Sequence, residues 1–396
     1  MLTQCTQESL SFHQVGRREV VGRFDGGRIS SDGGALLLGQ VGRRTGIIAQ
    51  FAECFTDHRD AQLIEHTVEQ LVGQRVYGLA LGYEDLNDHD TLRTDPLLAA
   101  LVNPRKDPLG RDRRRASDRG KALAGKSTLN RLELTPVGAD ESSRYKKIAF
   151  SVRKFERLLV KLFVQSQLTS GGPPNRIVLD VDATDDPIHG NQLGKFFHGY
   201  YDGYCYLPLY VTCGEHVLCA KLRPSNIDAS SGVTGVVSRI VEQIRQQWPD
   251  VQIIMRGDSG FCREHLMHWC ETNHVDYLLG LAKNKRLLKM IGKQMHEAKD
   301  KCEQTGGAAR VFTDLDYRTR KSWSRPRRVV AKAEHLTGSR GENPRFVVTS
   351  ISADQLDART LYEDHYCARG DMENRIKEQQ LDLFADRTSC GTMRAN

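Results

Sequence analysis

Two short apolar runs that each end in aspartate constrain the fold of this chain more than any other feature. Ile177-Val178-Leu179-Asp180-Val181 leads into Asp182, and Val251-Gln252-Ile253-Ile254-Met255 leads, through Arg256 and Gly257, into Asp258. Runs this short, rich in β-branched residues and bounded by turn residues, read as buried strands of a sheet covered on both faces. A third acidic residue, Glu373, lies in the helical segment YCARGDMENRIKE. Carboxylates at two strand ends and on a later helix converge when the helix packs back on the sheet. Their oxygens are hard ligands suited to Mg²⁺ or Mn²⁺, and two such ions about 3.5–4 Å apart can flank a phosphodiester.

The rest of the chain is consistent with an α/β fold. After Gly171-Gly172-Pro173-Pro174 come the strand patterns IVLDVDAT, YCYLPLYVTC and HVLCAKLRP, then a helix with apolar residues at Val233, Val236, Val237, Ile240, Val241, Ile244 and Trp248. The strand VQIIM, the helix REHLMHWCETN and the strand DYLLGLA follow. Three strands and then alternating helix and strand describe a mixed sheet with flanking helices. A Lys-rich helix from Asn284 leads into a β-rich zone (AARVFTDLDY, RRVVAKAEHL, RFVVTSIS), read as an insertion before the last helix. The expected organisation is a mainly helical N-terminal region, 1–170, the first part of a catalytic core, 171–305, a β-rich insertion, 306–353, a completing helix, 354–390, and an aberrant tail, 391–396.

The net charge of +7 is modest, but two stretches each carry that amount. Leu101–Arg131 holds ten Lys/Arg against three Asp (10 − 3 = +7), and Arg318–Arg345 nine against two Glu (9 − 2 = +7). Such blocks suit a polyanion, with solvated surface as the alternative. Arg113, Arg114 and Arg115 are the candidate DNA contacts of the first. In the second, Trp323 either stacks on an extruded base or packs on its own β zone. The ten cysteines show no C-x-x-C spacing and read as reduced core thiols, and no run of 18 apolar residues or leader pattern is present. No membrane partner is expected, and a cytoplasmic, nucleoid-associated location is. Gly120-Lys-Ala-Leu-Ala-Gly125-Lys126-Ser127 matches the phosphate-loop pattern in letters, but Arg-rich sequence precedes it where a strand is required, so no nucleotide cofactor is expected. The segment reads instead as a helix start capped by Ser127 or Thr128.

On an ideal helix at about 100° per residue, Tyr366, Arg369, Glu373 and Lys377 share one face. Together with Asp182 in LDVDATDDPIHG and Asp258 in RGDSGF, the segment Tyr366-Cys-Ala-Arg369-Gly-Asp-Met-Glu373 resembles the DDE transposases of bacterial insertion sequences, in the group with a Y-x-x-R-x-x-x-E signature. The resemblance implies a ribonuclease-H-like catalytic domain with Asp182, Asp258 and Glu373 as catalytic metal ligands for Mg²⁺ or Mn²⁺. It further implies Tyr366, Arg369 and a lysine as contacts to DNA phosphates, double-stranded terminal inverted repeats and target DNA as partners, and a homodimer on paired ends. The family lysine falls at Gln380 here, with Lys377 nearer the glutamate. Asp180, Asp185 and Asp186 compete with Asp182, and four carboxylates at one strand end would repel without a cation. Two other readings stay open: a structure-specific nuclease that only hydrolyses, and a non-catalytic DNA-binding remnant shortened at its C-terminus. The shortening implies exposed apolar side chains near residues 381–390.

Overall fold

The computed structural model describes residues 9–23, 32–172, 174–388, 390–393 and 395–396. Part of the Gly-rich FDGGRISSDGG segment lies outside them. The chain divides into two compact units, one of residues 1–158 with 381–384 and 395, the other of 159–380 with 385–394 and 396.

The first unit opens with a hairpin of β1 (Ser9–Val15) and β2 (Arg18–Arg23). Helices α1 (Ala35–Thr45), α2 (Ile47–Ala52), α3 (Val68–Ala80), α4 (His89–Leu92), α5 (Pro96–Val102) and α6 (Lys126–Glu133) follow, with a small ladder between β3 (Phe55–Asp57) and β4 (Ile148–Phe150). Thr67 and Gln70 form a reciprocal capping box at the start of α3, which satisfies two amides that the helix itself leaves open. From α3, buried Gln74 donates to the Ala124 carbonyl at 2.8 Å and accepts from the Ala124 amide at 3.0 Å. That pair ties down the far end of the basic stretch, which otherwise runs as turns.

The second unit begins within α7 (Val152–Thr169) and is built on a nine-stranded sheet. Its strands are β5 (Arg176–Ala183), β9 (Leu209–Cys213), β10 (His216–Lys221), β11 (Gln252–Gly257), β12 (Asp276–Leu281), β13 (Ala309–Tyr317), β14 (Arg327–Leu336), β15 (Gly341–Glu342) and β16 (Arg345–Thr349). The order is β10-β9-β5-β11-β12-β16-β14-β13, with β15 on β14. An antiparallel β10-β9-β5 meander continued by parallel β11 and β12 is the ribonuclease-H-like arrangement. The β-rich zone joins this sheet: β16 pairs antiparallel with β12 from Leu278↔Thr349 to Leu281↔Phe346. It therefore extends the core sheet instead of forming a body of its own. A second, three-stranded sheet, β6 (Asp186–Pro187), β8 (Gly203–Tyr206) and β7 (Phe196–His198), lies in the connection from β5 to β9.

Strand alternation sorts the side chains of β5. Ile177, Leu179 and Val181 join the main core, with α8 (Val233–Gln247) supplying Val237, Ile240 and Ile244 and α9 (Glu264–Thr272) supplying Leu266, Met267 and Cys270. The helices α10 (Lys285–Met290) and α11 (Gly292–Thr305) add Leu287 and Met295 to the same core. Asp180 and Asp182 take the opposite face, where Ile254, Leu278, Val330 and Val347 meet Leu361 and Tyr362.

The terminal helical segment is not one regular helix. A turn at α12 (Ala358–Thr360) passes into a π-helix over Leu361–Tyr366, a 3₁₀ turn over Cys367–Arg369, and then α13 (Gly370–Asp382). Arg256 of β11 meets the chain at the junction of these turns, donating to the carbonyl of His365, in the π-helix, and, at 3.5 Å, to that of Ala368, in the 3₁₀ turn. The same guanidinium grips Asp180 across the sheet with two bonds of 2.7 Å, both residues being buried. Deleting one partner of such a pair strands a buried charge, which costs about 3–5 kcal/mol. Arg256→Met is therefore expected to lower unfolding stability by about that amount and to raise proteolysis within residues 361–382. Wild-type stability in urea, with unchanged protection there, would refute the fastening role.

Candidate active site

Asp182 is the penultimate residue of β5, Asp258 directly follows β11, and Glu373 lies in the first turn of α13. Arg369 draws two of them together: it donates to Asp182 Oδ2 at 3.3 Å and to Glu373 Oε1 at 3.4 Å. Burial pushes the Asp182 carboxyl up to about 6; Arg369 opposes the shift, while the charges of Asp258 and Glu373 reinforce it. The three acids thus act on one electrostatic neighbourhood. Burial also works against the charge of Arg369, but Asp182, Tyr366, Asp258 and Glu373 outweigh it and hold its proton more firmly than usual.

Asp258 is fixed by its own turn, its Oδ1 accepting from the Gly260 amide at 2.8 Å at the head of a 3₁₀ turn over Ser259–Phe261. Tyr366 reaches the same place through a gap left by Gly280. A Cβ at position 280 would stand 2.7 Å from the Tyr366 hydroxyl, 3.0 Å from the Ser259 amide and 3.2 Å from the Asp258 carbonyl carbon. An isolated glycine within a strand signals such a close approach, and DYLLGLA carries that signal. Arg256, a lone cation in an apolar strand facing Asp180, is a second residue of the site that the sequence motifs do not single out.

The competing acids take separate roles. Asp180 is consumed by Arg256. Asp186, fully buried, has no hydrogen-bond partner on either carboxylate oxygen among the described residues, and burial, followed by the charges of Asp386 and Asp185, pushes it up to about 7. The expected crowding of carboxylates is eased by Arg256 on Asp180 and Arg369 on Asp182, and by burial that favours the protonated form of Asp186. Among the described residues no three His, Cys, Asp or Glu side chains are gathered closely enough to cage a cation as they stand. Arg369 supplies the compensating charge between Asp182 and Glu373. Lys377 is exposed, and Gln380, at the position of the family lysine, donates to the Asp185 carbonyl at 3.3 Å.

Two of the expected DNA-binding residues are corrected by burial. Arg113 is inside the first unit, bound to Glu65 at 3.1 and 3.2 Å and to His66 Nε2 at 2.8 Å; only Arg114 and Arg115 of that triplet are exposed. Trp323 is 4% exposed and packs edge-on against Tyr317, with Arg327 over its ring, which leaves no face for a base. Much of the second basic block is paired internally: Arg327 with Glu264 and Glu271, Arg328 with Asp314, and Lys332 with Glu334. Arg318, Arg320, Lys321, Arg340 and Arg345 remain exposed, as does Arg325, which also pairs with Glu271. The phosphate-loop look-alike opens α6 from Gly125, without the expected Ser127 or Thr128 cap. Asp90 accepts from the Lys126 amide at 3.1 Å, which puts a carboxylate where a phosphate would have to lie. Leu381 and Leu383 are exposed.

The raised acids make stability depend on pH. An unfolded carboxyl releases its proton near about pH 4, whereas folded Asp186 keeps it to about 7 and Asp182 to about 6. The folded chain binds more protons across that window, so stability from these groups falls as pH rises through it, by at most about 1.4 kcal/mol per pH unit for each. Asp186→Asn, neutral at every pH, is expected to gain on the wild type between pH 5 and pH 8 in urea unfolding. A difference that stays constant over that range would refute the buried proton.

The family model described as "Transposase DDE domain group 1" matches residues 12–396. No match was found among curated proteins. Among solved structures, the cryo-EM structure of a piggyBac transposase synaptic complex with hairpin DNA aligns over 87% of this chain and 68% of that one, at 11% identity. Its TM-score of 0.37 makes this likeness too loose to carry argument.

Proposed function

The chain belongs to the transposase DDE domain family, and from that premise we propose that it is the transposase of a bacterial insertion sequence. In this reading it binds the terminal inverted repeats of the element as a dimer on paired ends. It cleaves a strand to free a 3′-hydroxyl, and that hydroxyl attacks target DNA. The observation that carries the reading is that Arg369 bonds at once to Asp182, at the end of β5, and to Glu373 of α13, while Asp258 follows β11, the strand paired in parallel with β5.

The donor set suits Mg²⁺ or Mn²⁺: hard carboxylate oxygens only, on a buried Asp182 whose raised pKa comes first from burial and is reinforced by the charges of Asp258 and Glu373. Asp182, Asp258 and Glu373 would hold the ions, with Arg369 swinging from between the carboxylates onto the DNA backbone. Bound there, the metal would activate the attacking oxygen and stabilise the departing one. The chain's own residues do the positioning. Arg256 and Asp180 hold the helix start, Gly280 seats Tyr366 beside Asp258, and Arg369 and Lys377 offer cations to phosphate oxygens next to the cut.

Asp258→Asn is expected to abolish Mg²⁺-dependent cleavage while end-DNA binding stays near wild type, since phosphate contacts by Lys and Arg supply most of the affinity. Cleavage at the wild-type rate would overturn the metal-site assignment, and cut products that are never joined to target DNA would favour a hydrolytic nuclease. A further expectation concerns the first basic block. Replacing Arg114 and Arg115 with Gln should flatten the salt dependence of DNA binding by about 0.9 in slope for each phosphate that the variant no longer neutralises. An unchanged slope would return both residues to solvated surface.

A further inference from the structure

The connection from β5 to β9 carries an exposed aromatic cluster that neither the sheet nor the carboxylate site uses. Six of the twelve residues in KFFHGYYDGYCY, 195–206, are Phe or Tyr, in a chain that is 7% aromatic overall. Tyr206 is buried, with its hydroxyl donating to the Leu193 carbonyl at 2.8 Å. Four others are exposed: Phe196 by 40%, on the opposite side of β7 from Phe197, and Phe197 by 54%, Tyr204 by 54% and Tyr200 by 85%. Phe197 and Tyr204 are cross-strand partners on β7 and β8, so their rings share one face, 5.7 Å apart and nearly perpendicular. Tyr200 stands in the turn joining those strands, against Tyr201 at 5.0 Å. Lys195 Nζ lies 5.3 Å from the centre of the Tyr204 ring and also donates to Asn191 Oδ1 at 3.2 Å.

The hairpin is tied to the active site by its half-buried Tyr201. Tyr201 donates to the carbonyl of Ala183, the residue after Asp182, at 3.4 Å. Its phenol is pushed up to about 12 by burial first, and then by Asp185 and Asp182. The aromatic face is therefore continuous in sequence and in hydrogen bonding with the first carboxylate strand. Exposed rings that do not pack together into a core, with an ammonium over one of them, match the chemistry of a stacking platform: each ring presents a π-face to a base, and the cation lies within reach of the adjoining phosphate. A second protein chain is the weaker match. Residues 195–206 present aromatic rings and no exposed aliphatic side chain, and the site beside them has a DNA strand as its proposed substrate.

We infer that Phe197, Tyr200 and Tyr204 form a platform that stacks unpaired nucleotides of the DNA end held at the carboxylates, with Lys195 meeting their phosphate. The inference rests on the transposase reading above and adds to it the single-stranded character of the end that is held.

The test uses the full chain and two duplex probes, one blunt and one carrying a three-nucleotide single-stranded extension with 2-aminopurine inside it. The wild type is expected to bind the extended probe about tenfold or more tightly than the blunt one and to quench the 2-aminopurine. The triple variant Phe197→Ala, Tyr200→Ala, Tyr204→Ala should bind both probes alike, at the blunt affinity, without quenching. Tyr200→Ala alone, at the most exposed position, should lose part of the preference, and Tyr204→Phe, which keeps the ring, should retain it. Full preference and quenching in the triple variant would overturn the platform, as would a wild type that binds blunt duplex with no preference for the extension; either result leaves the transposase reading intact. A wild type that binds no DNA at all would sink both. Loss of a self-associated form in the triple variant, with the probe preference unchanged, would assign the face to a second copy of this chain and overturn the proposal.

Discussion

Arg256 is the joint on which the second unit depends. Its guanidinium closes on Asp180 of the neighbouring strand and on the backbone carbonyls of His365 and Ala368. A buried ion pair is a poor source of stability in itself, since both charges must leave water. What this pair supplies is position. It pins β5 to β11 and fastens the irregular turn between the π-helix and α13 to the same point. Asp182, two residues beyond Asp180, and Asp258, two beyond Arg256, are thereby set side by side, with Arg369 and Glu373 carried over them.

The π-helix and the joint meet at the same point: beyond its two bonds to Asp180, Arg256 donates to the His365 carbonyl in the π-helix and to the Ala368 carbonyl just past it. The irregularity also changes how the Tyr-Arg-Glu series works. Tyr366 ends the π-helix, Arg369 ends the 3₁₀ turn and Glu373 lies in the first turn of α13, yet Arg369 still reaches Glu373. The spacing of four survives because the interaction is local, while Tyr366 is turned toward the sheet and takes the gap at Gly280.

Charge in the unit is managed by pairing more than by exposure. Arg327 lies between Glu264 and Glu271, Lys332 beside Glu334, and burial holds the Asp186 carboxyl well above the usual carboxylate range. A count of basic residues along the chain overstates the positive surface for this reason. Of the Arg113-Arg114-Arg115 triplet, the first closes an internal network with Glu65 and His66, and the other two reach solvent.

Much of the fold was legible in local pattern. The strands at 176–183, 252–257 and 276–281 and the helix at 233–247 follow from short apolar runs and a spacing of three and four, because burial on one or both faces leaves a periodic trace in sequence. The motif residues around Asp182, Asp258 and Glu373 were legible through resemblance, and the glycine of DYLLGLA carried a signal that can be read. What local pattern does not hold is partner choice. That Asp180 belongs to Arg256 and Asp182 to Arg369, that Trp323 is packed while Phe197, Tyr200 and Tyr204 are bare, and that the β-rich zone continues the main sheet are outcomes of strand order and long-range pairing. Residues that are far apart in the chain decide one another's exposure and charge only after the sheet has assembled, so the sequence names the acids and the tertiary structure alone decides which of them are free to act.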